Sequence, residues 1–248
     1  MSSFFTELLD NFPCPAFLEK VCGRYHYEKS RLDELKENAL EMLPFLREEA
    51  FWESMPVKRR DGVSGLRSIP VEQQDTVLRR GAGQEADEPS HERVVISLGT
   101  GLDCLQERYS GQGLLSKSYM LEALAGELLL ESYGAYNRHV AEATDLHVAR
   151  YHFPGSEAAY PLELLPELLA GLTDRVICNA AFCLLPKKSV VFVAELTRDE
   201  KVQCEGICLG CNRAHCTNRI TDDFQTRRRM AGMTDIPLNY GYSRIFGK

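Results

Sequence analysis

The chain has 248 residues, 44% of them hydrophobic, and a formal net charge of −7. This apolar content fills one large core or two small ones, and the acidic balance argues against nucleic acid as the main partner, because phosphate binding needs a basic face. No apolar run approaches the roughly 20 residues of a membrane span, the N-terminal stretch lacks the basic leader of a secretory signal, and nine cysteines then point to a reducing compartment, so a cytoplasmic protein without a membrane partner is expected.

Residues 1–92 read as a helical N-terminal region that either stands apart or completes the core of the residues after it. Ser30, with Asp33 three residues on, gives a capping-box-like start to a helix with Leu32, Leu35, Ala39, Leu43 and Leu46 on one face. Pro44 is expected to kink or end that helix. A short strand is read around Leu66–Val71. Residues 81–92, with two Gly, a Pro and several charges, read as a loop and a boundary.

Residues 93–200 carry the clearest alternation of elements. Val94 to Ser97 reads as a buried strand that ends at Gly99 and Gly101. A glycine turn after a strand can cradle phosphate, but GTG without a Walker lysine or a full GxGxxG reads first as a tight turn. Ser116 or Ser118 is expected to cap a long helix with Met120, Leu121, Leu124, Leu128 and Glu131 at helical spacing. Leu146 to Phe153 reads as a strand broken by Pro154 and Gly155, and Pro161 to Leu169 as a helix. Val176–Cys183 and Ser189–Leu196 read as two more strands. This order does not repeat a βα unit, which favours an α+β fold over a doubly wound sheet.

Residues 201–248 form a Cys-rich segment and a basic tail. Cys204, Cys208, Cys211 and Cys216 stand in the spacing C-x3-C-x2-C-x4-C, directly after an apolar strand. Four soft thiolates this close suit a [4Fe–4S] cluster or a tetrahedral zinc. A single CxxC unit favours the cluster, since structural zinc sites usually pair two such units. The other five cysteines read as buried free thiols, and His152 as a satisfied, partly buried histidine. Arg227, Arg228 and Arg229 read as a solvated helix face.

SLGTGLD, YMLEALAGELLLESYGAY, RYHFPG and PKKSVVFVAEL occur in that order, followed by CLGCNRAHCTNR. Over about residues 93–220 this set resembles the activation (reactivation) domain of cobalamin-dependent methionine synthase, in the stand-alone form with a C-terminal Cys-rich segment. The resemblance implies a twisted, mainly antiparallel sheet with packed helices, and a groove for S-adenosylmethionine at an Arg-Pro-Gly turn. Carried onto this sequence, the ligand residues are Arg150, Pro154 and Gly155. Tyr160 stands in for an aromatic that the family places directly after the glycine, where this chain has Ser156. Glu131, or else Glu127, is the acidic residue for the ligand's charged end. RYHFPGS also has one more residue between Arg and Pro than the family pattern. No Asp-x-His-x-x-Gly motif is present, so any cobalamin is held by a partner.

The resemblance implies an accessory protein rather than an enzyme acting alone. It would bind S-adenosylmethionine and assist reductive methylation of a corrinoid on a partner methyltransferase or methionine synthase, with an electron donor and a Cys-ligated cluster. The alternative is a zinc-stabilised interaction module that has lost S-adenosylmethionine binding.

Overall fold

The computed structural model describes residues 3–10, 12–57, 90–199, 201, 202 and 204. Three helices open the chain: α1 (Ser3–Asp10), α2 (Pro15–Tyr25) and α3 (Leu32–Glu49). Pro15 starts α2, where its missing N–H costs nothing, and the Cys14 thiol accepts from the Phe17 N–H at 3.4 Å. Pro44 lies inside α3, which continues to Glu49. A mid-helix proline costs about 3 kcal/mol; here Met42 and Leu46, both fully buried, carry the helix past it. Ser30 is not its cap. It sits in the 3-10 turn Lys29–Arg31, and its hydroxyl is turned to Glu28.

Strand β1 (Phe51–Pro56) follows, then β2 (Ser90–Ser97), α4 (Gly101–Gly111) and α5 (Leu115–Ala143). The N-cap of α5 is Leu114, without a side-chain cap; the Ser118 hydroxyl meets Ser110 instead, at 3.2 Å. After α5 come β3 (His147–His152), a 3-10 turn (Leu162–Leu164), α6 (Leu165–Leu169), β4 (Ile177–Cys178), β5 (Leu184–Leu185) and β6 (Ser189–Thr197). The expected strand over Val176–Cys183 shrinks to β4, because its chain turns at Asn179, whose side chain accepts from the Ala181 and Cys183 N–H groups.

The protein is α+β, built on a four-stranded antiparallel sheet in the order β1-β2-β6-β3. One face packs against α1 to α5. Its centre is Phe192, whose ring lies 5.3–5.8 Å from those of Tyr151, Tyr136, Tyr133 and Phe153. Phe5, Val21, Leu35 and Met42 from the first helices join Ile96, Leu124 and Phe192 in the same core, and β1 supplies an edge strand, so residues from the first 56 share one interior with the second half.

The opposite face of the sheet is covered by a thinner layer. Leu164, Leu165, Leu168, Leu169 and Leu172 lie over Val95, Val191 and Val193. Arg93 pins this layer down. It is buried in the sheet, and its guanidinium donates to the carbonyls of Glu167, Leu168 and Ala170 at 3.1, 3.3 and 3.2 Å. These are the orphan carbonyls at the end of α6, which need such a partner.

Candidate functional site

The titratable side chains of interest lie on this second face, beside the leucine layer. Direct partners in an antiparallel sheet point to the same side. His91 on β2 pairs with Glu195 on β6, and Glu195 pairs with Arg150 on β3. One register step along, Arg93, Val193 and His152 form the next row. His91, His152, Glu195 and Arg150 therefore share one corner of the sheet.

A break in β3 makes this possible. Val148 pairs with Leu196 on the helix-covered face, yet Arg150 pairs with Glu195 on the other, so the register shifts between them. A bulge of this kind inserts one residue, here Ala149, and re-aims the side chains beyond it. Strict alternation would put Arg150 and His152 on the face of Val148. With the bulge, Tyr151 enters the aromatic core while Arg150 and His152 turn to the acidic residues.

After β3 the chain turns at Pro154 and Gly155. Gly155 has φ +80, and its N–H donates to the Tyr160 carbonyl at 2.7 Å. A Cβ there would meet the Leu162 side chain at 3.3 Å, so the glycine serves both the left-handed backbone and the close packing of Leu162. The turn brings Glu157 back over β3. Its carboxylate accepts from Arg150 at 3.3 Å and meets His152 Nδ1 at 3.1 Å. The Tyr160 ring stacks on that of His152, 4.5 Å apart and 15° from parallel. On its other nitrogen, His152 faces Glu195 at 3.4 Å.

The electrostatics follow from this enclosure. Burial alone lowers the His152 pKa, but its hydrogen bonds to Glu157 and Glu195 and the Glu157 charge outweigh burial and hold it above the ordinary value. Glu195 is held below the usual carboxylate range by its hydrogen bond to His152, against the opposing effect of burial. The Tyr160 hydroxyl is pushed well up, first by burial and then by the charges of Glu157 and Glu195. The His152 imidazole thus lies between two carboxylates that favour its charged form against the effect of burial.

Of the residues singled out in the sequence, Arg150, Pro154, Gly155 and Tyr160 come together around this one turn. Glu131 does not join them. It sits on α5 and forms an ion pair with Lys20 of α2. Glu127, the other acidic residue weighed, forms a buried pair with Arg24, with side chains 1% and 4% exposed. Cys204 is half-buried against the helix-side core. Cys208, Cys211, Cys216 and the Arg227–Arg229 run lie outside the described residues, as do the strand read around Leu66–Val71 and most of the 81–92 loop. Of the five scattered cysteines, only Cys22 is buried; Cys14 and Cys178 are half-buried, and Cys104 and Cys183 are exposed. Cys14 and Cys178 still pack against the two core clusters from their margins.

His91, Glu157 and Glu195 escape the sequence reading. Two signals were present. Glu195 interrupts the apolar run of β6 at a position in phase with Val191 and Val193. His91 and Arg93 alternate on β2, which puts two polar residues on one strand face.

The glycine turn after β2 has a definite occupant. The Glu49 carboxylate, from the end of α3, accepts from the Gly101 N–H at 2.7 Å at the start of α4. A protein carboxylate already sits where an anion would bind, as the helix dipole favours.

No protein-family model matches the chain, and no curated protein matches it. Among the described residues, no helix is long and apolar enough to cross a membrane.

Proposed function

We propose that the protein is a stand-alone, reactivation-type accessory protein. It binds S-adenosylmethionine at the turn after β3 and assists reductive methylation of a corrinoid held by a partner methyltransferase of the methionine synthase type. The supporting observation is the clustering of Arg150, Pro154, Gly155 and Tyr160, separated by up to ten residues, around one turn at the edge of an antiparallel sheet.

The fit is at Arg150. Its side chain is 34% exposed, so it is reachable from solvent, and it already holds a carboxylate, that of Glu157. A ligand carboxylate takes the place of Glu157 on the guanidinium, whose planar donors suit such a group. Tyr160 and His152 form the wall behind it. S-adenosylmethionine, when bound, supplies an electrophilic methyl group; the chain's own part is to bind and orient it. Cys204, Cys208, Cys211 and Cys216 are the residues to hold a [4Fe–4S] cluster, or a zinc in its place. The corrinoid and an electron donor are contributed by partners.

Equilibrium dialysis of the full chain against S-adenosylmethionine tests the reading. Saturable uptake at one per chain supports it, and no uptake removes it.

Two contacts favour a second reading, a zinc-stabilised interaction module without this ligand. The Arg150 guanidinium is engaged by Glu157, and Leu162 packs on Gly155 where a ligand would approach the backbone. It predicts no uptake, and a colourless protein that unfolds on chelation.

A further inference from the structure

We propose that His91, His152 and Glu195 form a binding site for a divalent first-row transition metal, distinct from the cysteine segment. It does not rest on S-adenosylmethionine binding. The three residues offer two imidazole nitrogens and one carboxylate oxygen, all within 4.8 Å of one another.

The distances suit an ion after a small contraction. Zinc bonds to nitrogen and oxygen of about 2.0–2.1 Å put tetrahedral ligand atoms about 3.3 Å apart. His152 Nε2 and Glu195 Oε2 are already 3.4 Å apart. The remaining contraction falls on His91, which is half-buried and whose ring lies 6.4 Å from that of His152.

Three features mark a built site. First, the ligands stand on β2, β6 and β3, adjacent strands of one sheet, which hold them more firmly than loops do. Second, His152 has the supporting contact that metal-bound histidines require. Its Nδ1 meets Glu157 at 3.1 Å, and Glu157 is in turn held by Arg150 at 3.3 Å. A carboxylate on Nδ1 fixes the tautomer, leaves the Nε2 lone pair for an ion and raises its basicity. Third, Tyr160 stacks on His152, is 1% exposed, and its hydroxyl has no hydrogen-bond partner among the described residues. A buried hydroxyl without a partner is uncommon and calls for an explanation. A metal with three protein ligands keeps an open position for water or another small ligand, and such a group would offer this hydroxyl a partner.

The donor set selects the ion. Two imidazoles and a carboxylate suit zinc(II), cobalt(II) or iron(II). Calcium and magnesium prefer all-oxygen sites, and copper(I) prefers sulfur.

The test must separate this site from the cysteines, and bond length does so. The full chain, stripped with a chelator and dialysed anaerobically against zinc chloride, is analysed for zinc content and by X-ray absorption. The expected result includes a zinc shell of nitrogen and oxygen at about 2.0–2.1 Å, apart from any sulfur shell at about 2.3 Å. His91→Ala and Glu195→Gln each remove one zinc per chain or weaken its uptake at least tenfold, while the exposed control Glu163→Gln keeps it. Circular dichroism confirms that each variant is folded. Should a variant fail to fold, the wild-type spectrum read together with its zinc content per chain decides. A purely sulfur shell in the wild type, a mixed sulfur–nitrogen shell with only one zinc per chain, or full nitrogen–oxygen uptake by both folded ligand variants, overturns the proposal.

Discussion

His152 and Glu157, five residues apart across the turn after β3, are joined at 3.1 Å through the imidazole Nδ1, and this contact fixes which way the ring faces. With Nδ1 committed to Glu157, Nε2 can only look toward Glu195, 3.4 Å away. The bulge in β3 and the tight turn at Gly155 therefore act together. One sends His152 to the second face of the sheet, and the other returns Glu157 over it.

The cluster makes stability depend on pH in a definite direction. His152 is held above its ordinary 6.5, so its contribution is full below that value and is lost as pH rises through the higher folded value. Glu195 is held below its ordinary 4.5, so its contribution is full above that value and is lost as pH falls through the lower folded value. Both contributions are complete between 4.5 and 6.5. His91, Arg150 and Tyr160 are the other titratable or charged groups at the cluster. Denaturant unfolding of chelator-treated protein should show stability falling above pH 6.5, and Glu157→Gln should flatten that fall. An equally steep fall in the variant would show that the contact is not its source.

Arg24 and Glu127 form an ion pair between α2 and α5 with almost no solvent access, and a second contact between them measures 3.2 Å. Arg24→Leu leaves the buried carboxylate uncompensated and should cost about 3–5 kcal/mol. Replacing both residues by leucine should restore most of that loss, because the desolvation cost goes with the charges. Chemical denaturation of the single and double variants measures the difference. A double variant no better than the single would refute the pairing.

Gly99 has φ +88, and a Cβ there would lie 2.3 Å from the Glu49 Cβ. Gly99→Ala combines a strained backbone with a clash against α3 and should cost about 2–4 kcal/mol. Glu49→Ala should be milder, about 1 kcal/mol, since it loses a cap but introduces no strain or clash. Thermal unfolding ranks the two, and the reverse order would show that the glycine is not required.

Visible spectroscopy with iron and sulfide analysis of anaerobically purified protein bears on the cysteines. A brown protein with about four irons and acid-labile sulfide is expected. One sulfur-bound zinc and no colour would shift the cysteines to a structural role.

Much of the fold is legible in the sequence where the period of the apolar residues is long and clean. The long helix, with Leu121, Leu124 and Leu128 in phase, and the apolar runs of β2 and β6 are of this kind. What is not legible arises where contacts from elsewhere decide. Nothing local distinguishes β1 from the end of α3, since its identity as a strand comes from pairing with β2. Pro44 is tolerated because buried neighbours hold the helix. Half of the site is legible, in Arg150 and the Pro154–Gly155 turn. The other half depends on the bulge at Ala149, which changes the face of every residue beyond it. No alternation of LHVARYHF reveals that shift, and only the strand register joins His152 to Glu195 and His91.

The most direct measurement is titration calorimetry of the full chain with S-adenosylmethionine, on wild type, Arg150→Lys and Arg150→Ala. The expected result is one site in the wild type, with affinity reduced at least tenfold, about 1.4 kcal/mol, in both variants, because lysine lacks the planar fork. No heat of binding in the wild type, or an affinity unchanged by Arg150→Ala, would contradict a ligand site at this turn.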